Sequence, residues 1–231
     1  MQTMKKSTPS ELPKEACKVL RIDGQEARDR LLGCALRLFA EKGFARTSTR
    51  EIASAAQVNI SAISYYFGDK ASLYRTVFND ARCNPSIDPA FFSEPELGLR
   101  EGLTTLMQSF IDSLKQGEMA QNCMKLHLRE MLEPTGLWLE EIDREIKPAH
   151  IALTEFLAHH LKIAHIDDDV HSLAFSITGL AITLLVSGDV IHAIRPALIA
   201  NEKAIDAYGE RLVDYALCMC EREKQRRSNT G

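Results

Sequence analysis

The stretch from Ser48 to Lys70, STREIASAAQVNISAISYYFGDK, leaves this chain little conformational choice. Ser48 offers a hydroxyl N-cap and Glu51 follows three residues later, the spacing of a capping box, so a helix starts there. Ile52, Ala53 and Ala56 lay a short apolar stripe along it at helical spacing. Val58 is an apolar residue inside the turn, placed to be buried and to fix the angle to the next helix. Asn59 is placed to cap that second helix, in which Ala62, Ile63 and Phe67 face inward while Ser61, Ser64, Tyr65 and Tyr66 face out. Gly68 tolerates the positive φ of a helix C-cap and Asp69 is a good N-cap, so one helix stops and another starts at that pair. The expected layout is two short helices joined by a tight turn, a helix-turn-helix.

Such a motif reads DNA by laying its second helix in the major groove. The flanking residues extend the pattern, with Leu38-Phe39-Ala40-Glu41-Lys42-Gly43-Phe44 before it and Tyr65-Tyr66-Phe67-Gly68-Asp69-Lys70-Ala71-Ser72-Leu73-Tyr74 closing it. With Thr49-Arg50-Glu51-Ile52-Ala53-Ser54-Ala55-Ala56-Gln57-Val58 between them, the segment resembles the DNA-binding domain of the TetR family of bacterial transcriptional regulators. That family's pattern runs as an amphipathic helix with a Phe-x-x-x-Gly turn, then T-x-x-x-I-A-x-x-A-x-V, then Y-x-F-x-x-K-x-x-L. The match covers roughly residues 26–80, about a quarter of the chain. Gln57 stands in the turn where the family commonly has Gly, and Ser64 stands where the recognition helix commonly has Tyr. The wording Asn-Ile-x-Ala-Ile-x-Tyr-Tyr-Phe-Gly is similar to the CecR-type branch.

Carried over residue by residue, the resemblance implies a set of DNA contacts. Arg50, at the front of the first motif helix, reaches a base edge or phosphate, and an Arg there can pair with guanine O6 and N7. Ser48 and Thr49 can bond phosphate beside the helix N-terminus. Ile60, Ser61, Ala62 and Ser64 occupy base-facing positions, the apolar pair suited to thymine methyls and the serines to base or phosphate oxygens. Tyr65 and Tyr66 align with phosphate-contacting aromatics, with a partly buried role open for Tyr65. Lys70 aligns with a phosphate-binding lysine; a cation at a helix N-terminus is otherwise electrostatically unhelpful.

The net charge of −4 suits this only once it is divided along the chain. Residues 1–23 carry +2, residues 24–82 carry +3 and residues 83–231 carry −9. Affinity for phosphate is local, so a mildly positive N-terminal part can dock while the acidic remainder faces away.

The fold class expected is all-α, since Gly and Pro are few and no run alternates β-branched residues. An N-terminal three-helix helix-turn-helix DNA-binding domain precedes a larger C-terminal helical domain for ligand sensing and dimerisation. The boundaries expected are a disordered basic tail over 1–24, the DNA-binding domain over 25–82 and the effector and dimerisation domain over 83–231. Lys5, Lys6, Lys14, Lys18 and Arg21 of the tail either brush the DNA backbone or are simply solvated. Helix 1 is expected from about 25 to 42, burying Leu31, Leu32, Ala35, Leu38 and Phe39. Helix 4 carries Leu73, Tyr74, Val77 and Phe78 toward the core. Pro85, Pro89 and Pro95 mark a junction, and Ser93-Glu94-Pro95-Glu96 reads as a second capping box with proline in the first turn. Further helices are expected at about 95–116, 119–132, 136–163, 168–192 and 200–224.

The last two helices carry the apolar sets Val170, Leu173, Ala174, Ile177, Leu180, Ala181, Leu184 and Ile205, Tyr208, Leu212, Tyr215, Met219. These faces either close on each other within one chain or meet their copies in a four-helix bundle, and the resemblance implies a homodimer. It also implies a small-molecule effector cavity. Met107, Phe110, Met124, His127, Met131, Trp138, Phe156 and Phe175 are its candidate walls or plain core, a lining suited to an apolar or aromatic compound. Repression of a palindromic operator, relieved by the effector, is the function that follows from the family.

No stretch reaches about 18 uncharged apolar residues and no signal-peptide core opens the chain, so a cytoplasmic location without a membrane span is expected. The six cysteines, at 17, 34, 83, 123, 218 and 220, are then expected to stay reduced. Cys218 and Cys220 would point about 200° apart on a helix. A helical di-iron enzyme would need two Glu-x-x-His pairs, and the sequence contains none, only Asp168-x-x-His171 and Asp189-x-x-His192. His159, His160 and His165 lack zinc spacing, and there is no Gly-rich phosphate loop or G-x-S-x-G. No enzyme activity, cofactor or metal is expected.

Overall fold

A computed structural model describes residues 14–80, 82, 83, 87–115 and 117–229, with side chains from residue 24 onward. Eleven α-helices follow one another among the described residues, without a strand. The chain divides into two compact units, Met1–Val77 and Phe78–Gly231.

The first unit contains α1 (Lys14–Arg46), α2 (Thr49–Ala55), α3 (Ser61–Phe67) and most of α4 (Lys70–Phe78). Helix α1 begins at Lys14, so residues 14–24 of the expected disordered tail are helical, and residues 1–13 lie outside the described residues. Lys14, Glu15, Ala16, Lys18, Leu20 and Arg21 are good helix formers and favour this extension, against the weaker Val19, Asp23 and Gly24. The expected inner face holds: Leu31, Leu32, Ala35, Leu38 and Phe39 are buried with Ile52, Ile63, Phe67, Leu73, Tyr74 and Val77. Phe39 meets Tyr74 edge-on, centroids 4.9 Å apart.

Local chemistry sets each turn. Gly43 breaks α1 at φ 77°. The buried Thr47 hydroxyl shares its proton between the Gly43 carbonyl at 2.8 Å and the Leu38 carbonyl at 3.1 Å. Ser48 Oγ accepts from the Glu51 amide at 3.1 Å and so starts α2. Gln57 sits at φ 56°, the left-handed region that explains why glycine is common at this position. Asn59 Oδ1 accepts from the Ser61 amide at 2.9 Å and the Ser61 hydroxyl at 2.8 Å, ordering the first turn of α3. Gly68 takes φ 84°, and Asp69 Oδ1 accepts from the Ser72 amide at 2.7 Å to cap α4.

The second unit comprises α5 (Leu99–Lys115), α6 (Glu118–Leu132), α7 (Leu137–Glu141), α8 (Lys147–Leu161), α9 (Asp168–Val186), α10 (Gly188–Ile194) and α11 (Glu202–Ser228). Helix α5 starts at Leu99, later than expected. Asp88 instead caps a 3-10 turn over Pro89–Ser93, and Leu97 is buried ahead of the helix, so the Ser93 box does not form. The single helix expected over 136–163 carries a π-helical turn at Ile142–Ile146 just before Pro148, whose missing N–H cannot complete the regular ladder. The one expected over 168–192 breaks at Ser187.

Helices α5, α8, α9 and α11 build the core, with Leu103, Met107, Ile111, Phe156, Leu157, Ile177, Leu212 and Ala216 buried. Two glycines permit close approach. A Cβ on Gly102 would stand 2.3 Å from Phe156 Cζ, and one on Gly209 would stand 1.9 Å from Ile111 Cδ1. On α9 the expected stripe is buried, with Leu180 at its edge. On α11 the buried line is Ile205, Gly209, Leu212, Val213, Ala216 and Cys220, which leaves Tyr215 exposed and Tyr208 and Met219 half-buried. By length and composition alone α9 is apolar enough to cross a bilayer, although its inner face fills this core.

The cysteines require a correction. Cys83 and Cys123 are joined by a disulfide, their Cα atoms 5.0 Å apart and both side chains buried. The segment that leaves α4 carries Cys83 onto α6, a proximity that the spacing in sequence does not announce. Cys34, Cys218 and Cys220 are free. Cys218 is exposed and Cys220 buried, on opposite sides of α11. Burial pushes the Cys220 thiol up to about 11.

Candidate nucleic-acid interface

Helices α2 and α3 present one outward surface. Ser48, Arg50, Ser61 and Ser64 are exposed, Thr49 and Ala62 are half-buried, and Ile60 keeps 47% of its surface in solvent. Arg50 makes no ion pair among the described residues. Tyr65 is 82% exposed, so it stands outside the core, against the ring of Tyr66 at 4.8 Å. Tyr66 is half-buried, and its hydroxyl comes within 3.2 Å of where a Cβ on Gly24 would stand, so the small residue on α1 makes room for it.

Several supports behind this surface were not legible in the sequence. Lys42 pairs with Glu51, and that bond holds the Glu51 carboxyl below its ordinary value and offsets an anion beside Arg50. Arg30 Nε donates to the Ala56 carbonyl at 3.3 Å, closing the C-terminus of α2. The Arg28 guanidinium lies 5.4 Å from the Phe67 ring centre. Lys70 Nζ lies 4.4 Å from the centre of the Phe44 ring, and partial burial lowers its pKa. Each joins residues far apart in sequence by contacts that no local spacing encodes.

The eight candidate effector residues fall in separate places. Met107 and Phe156 are buried in the core and Phe110 packs against it. Phe156 also meets Phe92, centroids 5.3 Å apart. His127 and Trp138 come together, centroids 6.2 Å apart, with the Phe78 ring tilted against His127 at 4.6 Å. Met124 is half-buried on α6. Met131 is exposed, and Phe175 is 62% exposed on the outer side of α9, its ring 4.1 Å from His150. None of the eight lines the groove between α9 and α11 formed by Asp169, Ser172, Ser176, Cys218 and Arg222.

Around His127 the electrostatics are distinctive. Its Nδ1 lies 2.8 Å from the Cys123 carbonyl, which can only accept, so the proton sits on Nδ1. Burial lowers its pKa. The fully buried Glu130 carboxylate accepts from the Thr135 amide at 2.7 Å, the Thr135 hydroxyl at 2.9 Å and the Leu137 amide at 3.1 Å. It thereby caps α7, a role the sequence reading missed. Among the described residues no three His, Cys, Asp or Glu side chains gather as a metal-binding group.

A helix-turn-helix unit ahead of a larger helical unit defines a class of DNA-binding regulator. Residues 31–77 match the family described as bacterial regulatory proteins, tetR family. Residues 99–219 match the C-terminal domain of the HTH-type transcriptional dual regulator CecR. The chain belongs to the TetR family, in its CecR branch, a family of transcriptional regulators and not of enzymes. It is 33% identical to the HTH-type transcriptional dual regulator CecR of Shigella flexneri over 150 residues, 60% of this chain and 66% of that one. It is 50% identical to the probable HTH-type transcriptional regulator YttP of Bacillus subtilis over 46 residues, 20% of this chain and 22% of that one. The similarity thus spans just under two thirds of the CecR relative and less of YttP. The fold is similar to that of NalD, the secondary repressor of the MexAB-OprM multidrug efflux pump in Pseudomonas aeruginosa, with TM-score 0.60 and 20% identity over 85% of this chain and 96% of that one.

Proposed function

We propose that this chain is a cytoplasmic, ligand-responsive regulator that binds a palindromic operator as a homodimer, acts chiefly as a repressor and is released by a small apolar or aromatic effector. One observation carries the reading: the family-matched α2–α3 pair turns Arg50, Ile60, Ser61, Ser64 and Tyr65 outward on helices whose ends are capped from within. Ser48 and Thr49 take phosphate at the N-terminus of α2, Arg50 a base edge, Ile60, Ser61, Ala62 and Ser64 the major-groove floor, and Tyr65, Tyr66 and Lys70 the flanking phosphates.

One such helix reads only a few base pairs, so specificity needs a second copy about 34–36 Å away. The outer faces of α9 to α11 supply an apolar surface for that copy, with Phe175, Ile182, Val186, Val190, Ile194 and Tyr215 exposed. This is the pairing expected through residues 168–192 and 200–224. The His127–Trp138 cluster on α6 and α7 is where an apolar or aromatic effector would act. Turning a 99:1 population to 1:99 requires it to prefer the released state about 10⁴-fold.

Selection from a random duplex pool, followed by anisotropy on the enriched sequence at several salt concentrations, tests the reading. An inverted repeat bound with a steep salt dependence is the expected result. Uniform, weak affinity for all duplexes would overturn it.

A further inference from the structure

Cys83 and Cys123 are 40 residues apart in sequence, yet they are bonded and both are buried. Cys83 lies just beyond Phe78, the last residue of α4. Cys123 lies on α6 one turn ahead of His127, whose Nδ1–H donates to the Cys123 carbonyl at 2.8 Å. The His127 ring packs on Phe78 at 4.6 Å and edge-on to Trp138 at 6.2 Å. The bridge and the end of α4 therefore share one aromatic cluster, and α4 is continuous with the helix-turn-helix.

A fixed disulfide does not suit a regulator that works on DNA in the cytoplasm. Glutathione and thioredoxin keep thiols reduced there, and the bridges that form are transient or redox-sensing. This step rests on the DNA-reading function proposed above.

We propose that Cys83 and Cys123 are a reversible, peroxide-responsive thiol pair, and that its closure repacks the end of α4 against α6 and changes the affinity for DNA. One thiolate attacks a peroxide oxygen, breaking the O–O bond and releasing hydroxide, and becomes a sulfenic acid. The second sulfur attacks the first and displaces water. Two thiols and one hydrogen peroxide give one disulfide and two waters, the sulfurs oxidised by two electrons and the peroxide reduced by two. Two glutathione molecules reverse the step by thiol–disulfide exchange and leave as glutathione disulfide.

The test is a titration of the full chain across glutathione ratios, with alkylation and mass mapping of Cys83 and Cys123. Emission from Trp138, the single tryptophan, is read in parallel. The pair should open and close within the glutathione range, with Trp138 emission following the mapped fraction. A bridge that stays closed at every ratio, or never closes, overturns the proposal. The wild-type titration needs no substituted chain, so it stands even if a variant misfolds.

On the selected duplex, bridged and reduced protein should differ in affinity by about tenfold, and Cys83→Ala and Cys123→Ala should each abolish the response to peroxide. Equal affinities overturn the coupling to DNA. If neither form prefers any duplex, DNA reading itself has failed and the coupling with it, while the thiol titration still decides whether the pair is reversible.

Discussion

Arg227 on the last turns of α11 grips Asp167 at the start of α9 through two parallel bonds, Nη1 to Oδ2 at 2.9 Å and Nη2 to Oδ1 at 2.7 Å. Asp167 Oδ1 also accepts the Val170 amide at 3.2 Å, so one carboxylate caps α9 and ties it to α11. Arg226 extends the network to Asp169 and to Glu223, and Arg227 Nε reaches Glu223 at 2.7 Å. The Arg227 bonds, ahead of the α9 amide, hold the Asp167 carboxyl well below its ordinary 3.8. A depressed folded value gives stability that is present above about pH 4 and is lost as the pH falls further. Arg227→Met should therefore flatten the acid limb of the melting temperature between pH 5 and 3, most clearly at low salt. An unchanged limb would show that the fork contributes nothing.

Much of the first unit was legible because its signals are local. Ser48, Asn59 and Asp69 cap helices within three residues of themselves, and Leu31, Ala35 and Phe39 repeat at helical spacing. Gln57 was noted only as a departure; its positive φ shows that the turn keeps the glycine-like backbone without glycine. The second unit was less legible because its decisive contacts are distant in sequence. Tyr215 completed a 3-4 spacing on α11, yet helix rotation against α5 buries Val213 and Ala216 instead. Phe175 looked like a pocket wall because it is aromatic and central, but α9 turns it outward. The Cys83–Cys123 bridge was excluded by an argument about compartment, which carries no information about which thiols touch.

Gly102 should resist substitution although alanine favours helices by about 1 kcal/mol. Its added methyl would enter the Phe156 ring, which is buried and cannot step aside as a chain end can. Gly102→Ala should lose about 1–3 kcal/mol in urea unfolding, the range for overpacking. Gly33, itself exposed on α1 and with nothing within 4 Å of an added Cβ, is the control. Gly33→Ala should gain about 0.5–1 kcal/mol. A neutral Gly102→Ala would mean that α5 and α8 are looser than the contact implies.

His127 should make the second unit sensitive to mild acid. Burial lowers its pKa from 6.5, opposed by the Cys123 carbonyl and by the Glu130 charge. The unfolded chain then binds the proton more readily, so stability falls as the pH drops below about 6.5, by at most about 1.4 kcal/mol per pH unit for one proton. His127→Gln, which cannot take up that proton, should reduce the slope between pH 6.5 and 5 in denaturant titrations. A slope equal to that of the native chain would place the titrating group elsewhere, His150 being next in line because burial and His171 lower it too.

Arg50 and Lys70 should fail in different ways on DNA. Arg50 is exposed and makes no ion pair among the described residues, so Arg50→Ala should leave the fold intact and relax selection at one base pair, at a cost of about 1–3 kcal/mol. Lys70 has two tasks open to it, since its ammonium lies over Phe44 while it stands at the start of α4. Lys70→Met keeps the apolar stem on the ring and removes only the charge. If Lys70 binds phosphate, this variant should weaken all duplexes alike, lower the salt slope by about 1 and keep its melting temperature. If the ammonium serves mainly to brace Phe44, the melting temperature should fall while the salt slope stays as it was.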